Sequence, residues 1–234
     1  MPFPAPARRR GFEYLDDPAV PAAVRERSLR DVVRSNTLFG GARALLRELA
    51  RVLPAGGADA TLLDVGTGLG DLPRRARRLA ERRGVRLTTF GCDASESLIG
   101  AARPSLIHCA CGDALALSFA THSVDIVTCS QLLHHFEHHD GVRLIRELHR
   151  VARRAVIVSD LRRSWVAAGG FWLASFPLGF HPITRHDGVA SVLRGFTAAE
   201  LAALVCDATG RAPAVRRHPG YRLTARWSVP GSAP

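Results

Sequence analysis

The stretch TLLDVGTGLGDLP, Thr61 to Pro73, changes its pattern twice within a few residues. Thr61, Leu62, Leu63 and Val65 form the apolar, β-branched run expected of a buried strand. Gly66, Gly68 and Gly70 then alternate with other residues, and Leu72, Ala76, Leu79 and Ala80 recur at helical spacing. A strand, a glycine loop and a helix in this order let backbone approach a ligand where a Cβ would collide, and turn the free N–H groups of a helix start toward it. A dinucleotide fingerprint, G-x-G-x-x-G, needs a third glycine where this chain has Asp71, which weighs against an NAD site.

An acid, one residue, then G-x-G-x-G is the first motif of the class I S-adenosylmethionine-dependent methyltransferases, and Asp64, Gly66, Gly68 and Gly70 match it position for position. The chain resembles that family. The resemblance implies an α/β, Rossmann-like fold: a doubly wound, mostly parallel seven-stranded sheet with an antiparallel last strand and an N-terminal helical cap. It implies S-adenosyl-L-methionine as cofactor, with the methionine part on the glycine loop. Asp93, at the end of the second expected strand, Arg86 to Cys92, inherits the ribose hydroxyls. After a third strand, Leu106 to Ala110, Asp113 inherits the adenine amino group and the Ala114 N–H the ring. Thr67, Ala94 and Ser130 complete the implied cofactor set. The pattern S-x-x-L-H-H-F, Ser130 to Phe136, is similar to the branch that includes the ubiquinone and menaquinone methyltransferases. The resemblance spans Asp59 to Trp227 and is specific for cofactor use between Asp64 and Phe136.

At 234 residues the chain holds one α/β domain with an extension. The division expected is a tail and helical cap over 1–55 and a methyltransferase domain over 56–234. The formal charge of +11 suggests a nucleic-acid partner, yet all 32 basic residues are arginine, there is no lysine and alanine is abundant. That bias reads as GC-rich coding, and no nucleic-acid partner is expected. Five cysteines (Cys92, Cys109, Cys111, Cys129, Cys206) without a C-x-x-C read as buried free thiols in a reducing compartment, hence a cytoplasmic protein. MPFPAPARRRGF lacks the apolar core of a secretory signal. The uncharged run Trp165 to Phe180 is too short and broken to span a membrane.

Residues 1 to about 18, rich in proline and arginine, are expected to be disordered or loosely attached. Two helices follow, one from Pro21 through Val33 and one carrying Leu45, Leu46, Leu49 and Leu53. Arg74 to Arg83 interrupt the apolar positions of the helix after the glycine loop as a solvated face should. Val124 to Cys129 and Ala155 to Ser159 read as further strands, with Asp140 capping the helix between them. Thr197 and Glu200 form a capping box, Gly210 closes that helix, and strands Ala214 to His218 and Tyr221 to Trp227 make a final hairpin.

Methyl transfer from a sulfonium needs positioning and a dry site more than an elaborate catalyst, and an enol or phenol acceptor gains from a base of near-neutral pKa. His135 is the first candidate, followed by His134 and His186. Asn36, Arg185 and Trp172 are candidate acceptor contacts, with Arg34 and Asp187 beside them. The aromatic run from Trp165 to Phe180 suits a flat, lipophilic acceptor. His134, His135, His138 and His139 contain two i, i+4 pairs, but no carboxylate or cysteine in the sequence completes a metal set, so no metal is expected. Cys111 and Cys129 are read as strand thiols, not covalent nucleophiles. The expected partner is a small aromatic, quinone-like or polyketide-like acceptor, taken up by a monomer or homodimer. The alternatives are an RNA or protein methyltransferase and a non-catalytic cofactor-binding module.

Overall fold

The computed structural model describes residues 5–9, 11–17, 19–102 and 108–229. Seven strands form one sheet: β1 (Asp59–Val65), β2 (Arg86–Asp93), β3 (His108–Cys111), β4 (Val124–Ser130), β5 (Ala152–Leu161), β6 (Ala214–His218) and β7 (Arg222–Ser228). Their order is β3-β2-β1-β4-β5-β7-β6, with the first five parallel and β7 antiparallel to both β5 and β6. This is the doubly wound sheet expected from the sequence. The third strand is described from His108, and the expected Leu106 and Ile107 lie outside the described residues.

Among the described residues eight α-helices accompany the strands: α1 (Ala22–Leu38), α2 (Gly41–Leu49), α3 (Asp71–Glu81), α4 (Glu96–Ala102), α5 (His138–Val151), α6 (Trp165–Ser175), α7 (Pro182–Arg194) and α8 (Ala198–Thr209). Strand alternation divides the core between two faces. Leu63, Val65, Val127, Val156 and Val158 pack with α5 and α8, whereas Ala60, Leu62, Ile126 and Ile157 pack with α2 and α3. Parallel strands buried on both faces explain the unbroken apolar runs.

Several sequence boundaries shift. Glu137, not Asp140, caps α5; Asp140 lies in its first turn and pairs with Arg143. The strand expected over Ala155 to Ser159 starts at Ala152, because its edge continues the ladder with Val124. The Thr197–Glu200 capping box and the left-handed Gly210 are as expected. Cys92 and Cys129 are buried, but Cys111 and Cys206 are exposed, so burial does not hold for all five free thiols.

The largest departure is the N-terminal segment. It is not loose where described. The Arg163 guanidinium donates to the Pro6 carbonyl at 2.6 Å, and Asp187 accepts from the N–H groups of Tyr14 and Leu15 at 2.9 and 3.0 Å. Composition signalled disorder because the segment has little apolar surface. It is held instead by polar groups of α7 and the β5–α6 loop.

Candidate active site

The parallel strands end together, at Val65, Asp93, Ser130 and Leu161, and a cavity of about 600 Å³ opens at that edge. The glycine loop forms one wall. Its N–H groups are tied back to β2: Gly66 and Thr67 donate to the Cys92 carbonyl at 2.8 and 3.1 Å, and Gly68 donates to Oδ2 of Asp93 at 2.9 Å. Gly66 has φ +73°, and a Cβ there would sit 2.9 Å from the Leu132 side chain, so strand and loop close only around glycine. Oδ1 of Asp93 accepts from Ser95 N at 3.1 Å. Asp93 thus ties down the turn that leads into α4 and is a wall of the cavity at once.

Asp64 lies beneath this loop, fully buried, and accepts from Thr128 Oγ1 at 2.7 Å. Burial pushes its carboxyl up to about 7, against the hydrogen bond from Thr128. Gly66, Thr67, Gly68, Asp93, Ser130 and Asn36 line the cavity; Asp64, Gly70, Ala94, Asp113 and Ala114 do not. Asp113 turns its Oδ1 to Leu115 N at 2.9 Å, past the end of β3. Asn36 sits in the last turn of α1, 4% exposed, with no hydrogen-bond partner at Oδ1 among the described residues. Ser130 Oγ also lacks a partner among the described residues. Arg34, by contrast, stacks on Phe180.

His134 also lines the cavity; it is buried, and its Nδ1 lies 2.7 Å from Oδ1 of Asp160. Oδ2 of Asp160 accepts from the His134 backbone N–H at 3.0 Å. Burial alone would raise the Asp160 carboxyl, but the adjoining His134 holds it below its ordinary value. An ionised carboxylate there accepts a hydrogen bond from Nδ1–H, which leaves the lone pair on Nε2; Nε2 has no partner among the described residues. His135 stacks against His134, with Nε2 3.9 Å from Glu13 and Nδ1 3.3 Å from Arg194. Glu13 is itself paired with Arg194 at 2.9 Å and accepts from Ser191.

The expectation that no carboxylate completes the histidines is therefore corrected: Glu13, His134 and His135 offer ligand atoms within 4.8 Å of one another. The Arg194 guanidinium on Glu13 already supplies a cation to that cluster. Arg185, His186 and Trp172 are not brought to this cavity. They line a separate, shallower pocket with Arg9, while Asp187 faces the main one and holds the N-terminal segment.

Four residues of the site carry no assignment from the sequence: Arg222, Gln131, Asp160 and Glu13. Arg222, 3% exposed, lines the cavity; it donates to Gln131 Oε1 at 2.7 Å and to the Phe39 carbonyl at 3.4 Å, and no carboxylate pairs with it among the described residues. Burial pulls its guanidinium down to about 10, and the charge of Asp160 opposes the shift. Gln131 holds a left-handed backbone, φ +54°, directly after β4. Asp160 had a legible signal, an acid at a parallel strand end like Asp93. Arg222 and Glu13 had none.

The methyltransferase domain family matches residues 62–155, which carry the glycine loop, Asp93 and both central histidines. The chain carries an S-adenosylmethionine-dependent methyltransferase domain. No curated protein matches the sequence. Among solved structures, the methyltransferase is similar to the magnesium protoporphyrin IX methyltransferase of Synechocystis with bound SAM, at 16% identity over 92% of this chain and 88% of that one, TM-score 0.53. A SAM-dependent methyltransferase of Thermotoga maritima gives 16% over 88% and 98%, TM-score 0.60. The CMeT domain of the citrinin polyketide synthase gives 16% over 80% and 51%, TM-score 0.57. At such identities the structures share the fold. The cofactor is S-adenosylmethionine, and the methyltransferase has an edge suited to it: unpartnered buried oxygens on Asn36 and Ser130, and a glycine at 68 where a Cβ would meet nothing within 4 Å.

Proposed function

We propose that this methyltransferase acts on oxygen or carbon of a small aromatic, quinone-like or polyketide-like metabolite. One observation carries the reading: the glycine loop and His134, which Asp160 holds from behind, face a single cavity that also has an apolar wall, built by Leu29, Val32, Val33, Val166, Phe171 and Val192. Such a wall suits a flat, lipophilic acceptor and excludes water from the transfer.

The cofactor supplies a methyl group already activated on a sulfonium. The protein's part is to bind, align and accept a proton. Gly66, Thr67, Gly68 and Gly70 cradle the cofactor over Asp64, and Asp93 keeps free lone pairs for the ribose hydroxyls. Ala94, Asp113 and Ala114 serve the adenine end, beyond the residues that line the cavity. Ser130 and Asn36 offer oxygens to the amino-acid end, and Arg222 offers it a buried guanidinium in the cavity wall.

His134 takes the acceptor's proton at Nε2. Its Nδ1–H is fixed by Asp160, which stabilises the imidazolium that results. His135, braced by Glu13 and Arg194, orients the acceptor. Arg185, His186 and Trp172 have no part in this transfer. From the tail and cap expected over 1–55, Glu13, Leu15, Leu29 and Asn36 line the cavity of the domain expected over 56–234.

Calorimetric titration with S-adenosylhomocysteine, beside NAD as the competing nucleotide, tests the cofactor assignment. Binding of the first alone, followed by turnover of phenols or quinols, is the expected result. Binding without turnover across that panel would turn the reading toward a binding module, and steeply salt-dependent RNA binding toward an RNA acceptor.

A further inference from the structure

The helix α6 is uncharged throughout, and no acidic residue occurs between Leu161 and His186. One side of it, through Val166, Ala167, Gly170 and Phe171, lines the cavity. The other is bare: Trp165, Trp172, Leu173 and Phe176 are 49, 48, 63 and 49% exposed. Solvent-facing apolar side chains in such a row mark a contact surface. At about 1.5 Å per residue α6 is some 16 Å long, about half the hydrocarbon thickness of a bilayer, so it can lie in an interface but not cross it.

The rim of this surface is cationic. The Arg9 guanidinium stands 5.0 Å from the Trp165 ring and that of Arg185 stands 3.6 Å from the Phe176 ring. Arg9, Arg185 and His186 also border the shallow pocket beside Trp172, and no acidic side chain lines it among the described residues. Apolar side chains ringed by arginines, with tryptophan at the boundary, match the acyl edge and phosphate layer of an anionic membrane.

We infer that α6 is a membrane-docking helix that seats the cavity mouth on an anionic lipid surface, from which a lipophilic acceptor enters. The entry of the acceptor rests on the proposed acceptor class; the docking itself is measured without turnover, so the two fail separately.

Flotation of the purified protein with vesicles of phosphatidylglycerol, and in parallel with phosphatidylcholine, tests the inference. The expected result is flotation with phosphatidylglycerol, a blue shift of tryptophan emission from Trp165 and Trp172, and weak binding to phosphatidylcholine. Leu173→Glu should lower the bound fraction by about tenfold or more while S-adenosylhomocysteine binds it as before, which certifies the fold. Arg9→Gln should lower binding to phosphatidylglycerol only.

Three results would overturn the inference. One is no flotation. Another is equal flotation of Leu173→Glu, which would mean simple adhesion of a chain of net charge +11. The third is a dimer in sedimentation experiments that Leu173→Glu disperses, which would assign the face to a second copy.

Discussion

Nδ1 of His134 sits 2.7 Å from Oδ1 of Asp160, and the same carboxylate receives the His134 backbone N–H. The ring is held in position and in tautomer by one buried acid. His134→Ala should lower kcat by about 10²–10⁴, the range of a general base, while S-adenosylhomocysteine affinity stays within twofold or so. Asp160→Asn should lower kcat too and change the acidic limb of its pH profile. An unaltered profile in both variants would move the base to His135.

Asp93 links loop and helix through Gly68 N and Ser95 N. Replacement by Ala is expected to weaken cofactor binding by roughly 1.5–3 kcal/mol, the scale of a charged hydrogen-bonding group. Titration calorimetry measures it, and unchanged affinity would remove the ribose assignment.

Arg222 is a buried cation whose hydrogen-bond partners among the described residues are neutral. Burying such a charge costs stability that an anionic ligand would restore. Arg222→Met should therefore keep or raise the thermal midpoint of the ligand-free protein and lower cofactor affinity by about tenfold or more. A fall in the midpoint with affinity intact would give Arg222 a structural role alone.

Asp64 carries a folded-state carboxyl at about 7 against an ordinary 3.8. The folded state holds its proton more tightly, so this group's stabilising contribution is complete below the ordinary value and is lost as pH rises through about 7. The loss amounts to about 4 kcal/mol. Asp64→Asn, which still accepts from Thr128, should gain on the wild type progressively from pH 4 to 7. Denaturant titrations across that range measure the difference. Parallel curves for the two proteins would place the Asp64 carboxyl in the ordinary range.

The first strand, loop and helix were legible because each follows from its own neighbours: an apolar run, glycines where a Cβ would strike Leu132, and a 3.6-residue stripe on α3. Asp93 was legible because parallel strands end on one edge, so an acid there meets whatever the loop holds. The N-terminal segment was misread, since composition measures what apolar surface can bury and says nothing of polar clamps such as Arg163 and Asp187.

By itself the sequence determined the doubly wound sheet, the glycine loop and the cofactor family, because local periodicity and the motif spacing act within a few residues of one another. The tertiary structure decided which histidine is held, which arginine faces the cavity and where α6 turns its bare side. His134 and Asp160 are 26 residues apart, Gln131 and Arg222 91, and Glu13 and Arg194 181. Those pairs meet only because the crossover connections fold the strand ends to one edge and lay α7 across it. Contact across such distances is set by the packing of whole elements, and no local pattern records it.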